Sequence, residues 1–231
     1  MTENRYVFDN AVTAETGMRF SGLEATFDPS TIRYLSGVGV TDGWACWEIG
    51  AGGKRPRYRH RSPVHPGLHA EPACGRPLVL SHLPQRSGVM VRLVRALRPG
   101  GWLVIEDFSG AFERGSKPVG PAETRYRKVH VALGEFLARA NDDQSDFAAS
   151  LPQLLASLGL ADIGAEARVV FGRGGSPGAR VMEAGLRQVG DQMIAAGLVD
   201  RLALDEAIAY LAAPASIVSL PTMVSAWGRQ R

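Results

Sequence analysis

Apolar and polar positions along the chain mark its elements. Phe20, Leu23 and Phe27 recur at i, i+3 and i+7, which predicts one face of a helix. Asp28-Pro29 then has the form of a second helix start, an N-cap acid followed by proline. A short helix over 31–35 would follow, closed by Gly37 and Gly39. Residues 45–49 predict a first strand. Val89, Leu93 and Leu97 recur at i, i+4 and i+8, a helix stopped by Pro99-Gly100-Gly101. Trp102-Leu103-Val104-Ile105 is wholly apolar, as suits a central parallel strand, and ends in Glu106-Asp107. Tyr126, Val129, Leu133, Phe136 and Leu137 predict one side of a helix over 122–140. Asp146 is placed to cap another helix, running to Leu158 and closed by Gly159. A strand over 163–171, helices over 180–196 and 205–211, and a last strand over 217–227 interrupted by Pro221 complete the chain. Helices between apolar strands predict an α/β fold.

The pattern fails in one place. Residues 54–77 hold Pro56, Pro63, Pro66, Pro72 and Pro77 and show neither helical nor strand periodicity. Proline this dense excludes a helix interior or a central strand. The segment also carries six cations (Lys54, Arg55, Arg57, Arg59, Arg61, Arg76) against Glu71 alone, a net charge of +5. The whole chain carries +3, so the remainder is close to −2. The basic character is therefore local, whereas a nucleic-acid footprint would be spread more widely. Tyr58 is the one aromatic residue between those charges, too few for a stacking platform. His60, His65, His69 and Cys74 also lie here, but their spacing matches no zinc pattern, so no metal site is expected.

Composition narrows the class. A chain of 231 residues can bury a full core, and one domain over 1–231 is the expectation, with 1–40 as a helical cap and 54–77 as an irregular insert. No run of about 18 apolar residues exists, and Met1 to Arg5 lead into no apolar signal segment, so no membrane partner is expected. Two cysteines, Cys46 and Cys74, are too few for a disulfide framework, which points to the cytoplasm.

The chemistry centres on Trp47-Glu48-Ile49-Gly50-Ala51-Gly52-Gly53. An apolar run ends in an acid and breaks into glycines, as a strand does when it feeds a tight turn under a nucleotide-like ligand. Glu48 can accept a hydrogen bond from an amine or a ribose hydroxyl. A P-loop is rejected, because Glu48 stands where its first glycine belongs and Arg55 where its hydroxyl belongs. A dinucleotide fingerprint fails too, because Arg55 holds the third glycine position. Gly172-Arg173-Gly174-Gly175-Ser176 has the composition of a phosphate cradle, but with no Lys-Ser/Thr pair it reads as a loop.

Together the 47–53 turn, Leu78-Val79-Leu80-Ser81-His82-Leu83-Pro84 and Leu97-Arg98-Pro99-Gly100-Gly101-Trp102-Leu103-Val104-Ile105-Glu106-Asp107 resemble class I S-adenosylmethionine-dependent methyltransferases of the bacterial small-molecule type. The resemblance implies a Rossmann-like sheet with flanking helices and S-adenosylmethionine as cofactor. It implies that Gly50, Ala51 and Gly52 line the methionine part of that cofactor, with Glu48 hydrogen-bonding nearby and Ser81 and His82 close to the sulfonium. His82 or Asp107 would then be the candidate base toward a hydroxyl or amine, with a helix-start role for His82 as the structural alternative. The expected partner is a small-molecule methyl acceptor.

The family spacing breaks after Gly53. Roughly 65–75 residues would carry the second to fourth strands before the Leu78 motif, judged by crossover lengths in such sheets. Two dozen are present. The ribose acid has no recognisable counterpart, and the sheet is expected to be irregular or short of strands there. The abrupt change to Arg/Pro/His-rich sequence is what GC-rich DNA gives when read out of frame. Residues 54–77 are thus expected to be a frame-shifted remnant beside an internal deletion. Two functions stay open: methyl transfer to a small organic acceptor, impaired by the lost half-site, or a catalytically inactive remnant. The remnant would expose strand edges and associate into a homo-oligomer.

Overall fold

The computed structural model describes residues 14–41, 44, 47–49, 73–75, 80–83, 85–140 and 146–231, with only the backbone described at 14, 47–49 and 73–75. The chain sorts into two compact units. One comprises 1–29, 110–145 and 169–222, the other 30–109, 146–168 and 223–231. Helix α1 (Ala14–Gly37) belongs to both. It is one helix of 24 residues with Pro29 inside it, where the sequence predicted two. Proline removes one ladder donor and crowds the preceding turn. Here the helix runs on through it, because buried Phe27, Ser30, Tyr34 and Leu35 keep the helical period on both sides. The helix closes as expected after Gly37, with Gly39 at φ +85° and Val40 N–H donating to the Leu35 carbonyl at 3.0 Å.

The second unit holds a five-stranded sheet in the order β1 (Trp47–Ile49), β2 (Ala73–Gly75), β3 (Trp102–Ser109), β7 (Thr222–Arg229), β4 (Ala161–Arg168). β1, β2 and β3 are parallel; β4 and β7 are antiparallel. With its flanking helices this is an α/β fold with an irregular Rossmann-like sheet. Trp47 pairs with Ala73, Glu48 with Cys74 and Ile49 with Gly75, and Cys74 pairs in turn with Val104. β2 thus arises inside the segment that showed no strand pattern. Three residues between two neighbours need only backbone pairing, which leaves no periodicity to read.

Helices α2 (Arg86–Ala96) and α5 (Phe147–Ser157) pack on this sheet. Its core comprises Met90, Val94 and Leu97 from α2 and its end, Leu103 and Ile105 from β3, Leu151 and Leu155 from α5, and Val224 and Ala226 from β7. Both predicted helices therefore form, and the apolar stripe of each is buried. α5 starts where Asp146 accepts a hydrogen bond from Ala149 N–H at 3.2 Å and ends before Gly159 at φ +86°. β4 also holds Gly164 opposite Trp227, and a Cβ at Gly164 would collide with the indole ring. Trp227 stacks on Tyr34, with ring centroids 5.5 Å apart.

The first unit is mainly helical: α3 (Ala111–Gly115), α4 (Gly120–Ala140), α6 (Pro177–Ala195) and α7 (Arg201–Ala212), with a two-stranded ribbon of β5 (Phe171–Arg173) and β6 (Ile217–Ser219). Tyr126, Val129 and Leu133 of α4 are buried as the pattern predicted, beside Leu186, Val189 and Met193 of α6 and Leu204, Ala207 and Leu211 of α7. Pro221 splits the expected last strand. Its first part, β6, joins the ribbon and its second part, β7, joins the main sheet. Among the described residues no helix is long and apolar enough to cross a membrane.

Candidate functional site

The candidate site lies around β3 in the sheet unit. The Leu97–Gly101 motif leads into this strand, and the structure explains its glycines. Gly100 sits at φ +81°, where side chains are strained. Gly101 N–H closes the turn onto the Arg98 carbonyl at 2.9 Å. Gly100 N–H donates to the Gln230 carbonyl, and Gln230 N–H to that of Gly101, at 2.9 and 2.8 Å. The turn is therefore knitted to the end of β7, which sets where β3 begins.

Glu106 and Asp107 were expected beyond the strand; they lie within it. β3 continues to Ser109, and both acids are almost fully buried, 2% and 1% exposed. Successive side chains of a strand point to opposite faces. Glu106 accepts hydrogen bonds from the hydroxyls of Thr31 (2.6 Å) and Ser225. Asp107 accepts from Ser81 N–H and the Ser81 hydroxyl, both at 3.0 Å, and from Phe108 N–H at 2.8 Å. Burial raises the Asp107 pKa to about 6, against the opposing pull of those hydrogen bonds and of Arg86. Ser81 and His82 occupy the short 3-10 turn Leu80–His82, so the carboxylate clamps this turn to β3. The structure thus brings Ser81, His82 and Asp107 together, with both Asp107 oxygens already engaged.

Glu48 lies at the carboxyl end of β1, on the row that runs through Cys74 to Val104. That row places its backbone two strands from β3, three residues before the level of Asp107. Gly50, Ala51 and Gly52 lie outside the described residues, as do His60, His65 and His69 and the Cys74 side chain. Among the described residues no group of three or more His, Cys, Asp or Glu side chains could hold a metal ion.

The glycine run 172–175 forms a packed junction. Gly174, Gly175 and Ser176 N–H groups donate to the carbonyls of Ser216, Leu211 and Arg173. They are not free to bind a phosphate. The Ser176 hydroxyl accepts from Ala179 N–H and caps α6. A Cβ at Gly174 would strike the Ala213 carbonyl, which explains the glycine there.

The sequence reading missed the partners of Glu106. Thr31 and Ser225 are 75 and 119 residues away along the chain, and nothing in their local sequence marks them as a pair of hydroxyls on one carboxylate. The polar residues at 106 and 107 in an otherwise apolar strand were the available signal.

No protein-family model matches the chain, and no curated protein matches it. Among solved structures, it is similar to a Haemonchus contortus phosphoethanolamine N-methyltransferase 2. One form of that protein, with phosphomonomethylethanolamine and S-adenosylhomocysteine, gives 12% identity and a TM-score of 0.44 over 100% of this chain and 60% of that one. The form with S-adenosyl-L-methionine gives 13% and 0.46, over 100% and 61%. A Bacillus halodurans protein described as a methyltransferase gives 12% and 0.34, over 68% of each chain. The chain spans about three fifths of the length of the Haemonchus enzyme. Likeness this distant carries no chemistry with it.

Proposed function

We propose that the chain descends from, and retains the cofactor half-site of, an S-adenosylmethionine-dependent methyltransferase acting on a small organic acceptor. The observation that supports this best is the parallel row β1–β2–β3. It sets Glu48, at the end of one strand, near the Ser81–Asp107 clamp on another, on the carboxyl side where open α/β sheets bind ligands. The donor set also fits: Glu48 offers an acceptor to an ammonium or a ribose hydroxyl, and the 3-10 turn presents Ser81 and His82. S-adenosylmethionine supplies an electrophilic methyl group on a sulfonium. In this reading the chain's own residues do the rest. Glu48 holds the cofactor's polar end, with Gly50, Ala51 and Gly52 giving backbone access. Asp107 positions the turn, and His82 is the group placed to take a proton from the acceptor. Most of the enzyme's work in such a transfer is alignment.

The test is calorimetric titration of the monodisperse protein with S-adenosylhomocysteine. Micromolar binding at 1:1, weakened about 10- to 100-fold by Glu48→Ala, is the expected result for one lost hydrogen bond to a charged group. No binding at millimolar ligand, from protein that is folded by circular dichroism, would sink this reading. It would leave the inactive remnant, with residues 54–77 as the frame-shifted scar of the loss.

A further inference from the structure

The helical unit contains a feature that the cofactor site does not use. Tyr126 is 2% exposed, and its hydroxyl makes no hydrogen bond. Both faces of its ring are covered, by His130 at 5.8 Å on one side and Tyr210 at 5.1 Å on the other, each nearly parallel to it. Phenylalanine would stack equally well there. A buried hydroxyl with no partner is costly, so its presence calls for a partner.

Tyr126, His130 and Gly134 lie four residues apart on one stripe of α4. The stripe passes from buried Tyr126 through half-buried His130 to exposed Gly134. A Cβ at Gly134 would meet nothing within 4 Å, so the outer end is open. The charges acting most strongly on the phenol are Glu113 and Glu123, which oppose its ionisation, and Arg127. Arg127 is tied to Glu123 at 2.8 Å and to Ser116. Burial holds His130 uncharged, so it adds no positive charge at neutral pH. The balance around the hydroxyl is therefore negative, with its one nearby cation already paired.

We propose that this stripe is a binding site for an amine-bearing small molecule, entering past Gly134 and hydrogen-bonding the Tyr126 hydroxyl. A carboxylate or phosphate would meet Glu113 and Glu123 without a free cation to answer it. The site rests on the methyl-transfer reading only in that its occupant would then be the methyl acceptor.

Three probes that share a ring separate the head groups: benzylamine, benzyl alcohol and benzoate. The full chain is titrated with each while the imidazole Cε1–H resonances are followed by NMR. His130 is assigned as the resonance lost in His130→Gln. Benzylamine is expected to shift the His130 resonance saturably, and benzoate to leave it unmoved. Tyr126→Phe is expected to weaken benzylamine binding at least tenfold while raising Tm, since the unpaired hydroxyl is gone. Gly134→Leu, at the exposed rim, is expected to weaken binding without lowering Tm. The proposal is overturned by any of three results: no saturable shift with benzylamine, equal binding by both variants, or benzoate binding as tightly as the amine. A buried water serving Tyr126 would give the second result. S-adenosylhomocysteine affinity is measured on the same sample. Its loss alone removes the methyl-transfer reading and leaves the amine site standing.

Discussion

Two buried residues carry opposite proton linkages. Asp107 ordinarily titrates near 3.8 and in the fold near 6. A raised pKa means that the native state holds the proton more tightly than the unfolded chain. The stabilisation is then full below pH 3.8 and is lost as pH rises through 6, by roughly 3 kcal/mol. His130 ordinarily titrates near 6.5 and in the fold near 4 because of burial and the Arg127 charge. Its contribution is present above pH 6.5 and is lost as pH falls through 4, by at most about 3 kcal/mol. Urea unfolding between pH 4 and 7 separates the two. Asp107→Asn is expected to remove the fall toward neutral pH, and His130→Gln the fall toward acid. A pH profile that neither variant alters would show that neither group titrates as its burial requires.

At the scale of elements, Asp146 has the most consequential hydrogen bonds. One carboxylate oxygen caps α5 through Ala149 N–H, and the other accepts from the Ser109 hydroxyl at the end of β3 at 2.7 Å. A single side chain therefore fixes both where the helix starts and how it meets the strand. Asp146→Ala is expected to lower stability by about 1–2 kcal/mol, and Asp146→Ser to recover part of that, as measured by the urea midpoint. The cap was legible in the sequence, because Asp146 precedes an apolar helical stripe. The Ser109 bond was not, because it joins residues 37 apart through the fold. The same contrast holds for α1. Its apolar period was readable, but Asp28-Pro29 carries a strong local start signal. Packing on both sides of Pro29 overrode that signal.

For the whole molecule, the open matter is the segment between β1 and the 3-10 turn. β2 shows that part of it pairs into the sheet. A strand of three residues neither restores a second crossover nor supplies a ribose acid. If the segment is a frame-shifted remnant, the coding DNA for residues 54–77 read in the other two frames will show an apolar run ending in Asp or Glu. If neither frame does, an internal frame shift is not the origin of this stretch, and it must be read as sequence selected as it stands.

The sequence by itself determined the class and most of the elements: an α/β chain, the helices α2, α4, α5, α6 and α7, and the apolar strand 102–105 with two acids at its end. These are local properties, written in period, caps and turn residues. Tertiary structure alone decided the rest. It buried Glu106 and Asp107 inside β3 and engaged them with Thr31, Ser225 and Ser81. It divided 217–227 between two sheets, made 73–75 a strand, and left Tyr126 with no partner for its hydroxyl. Each of these outcomes depends on residues far apart in the chain meeting in space. No local period records such meetings, because the cost or gain of a buried polar atom is set by what the fold brings beside it.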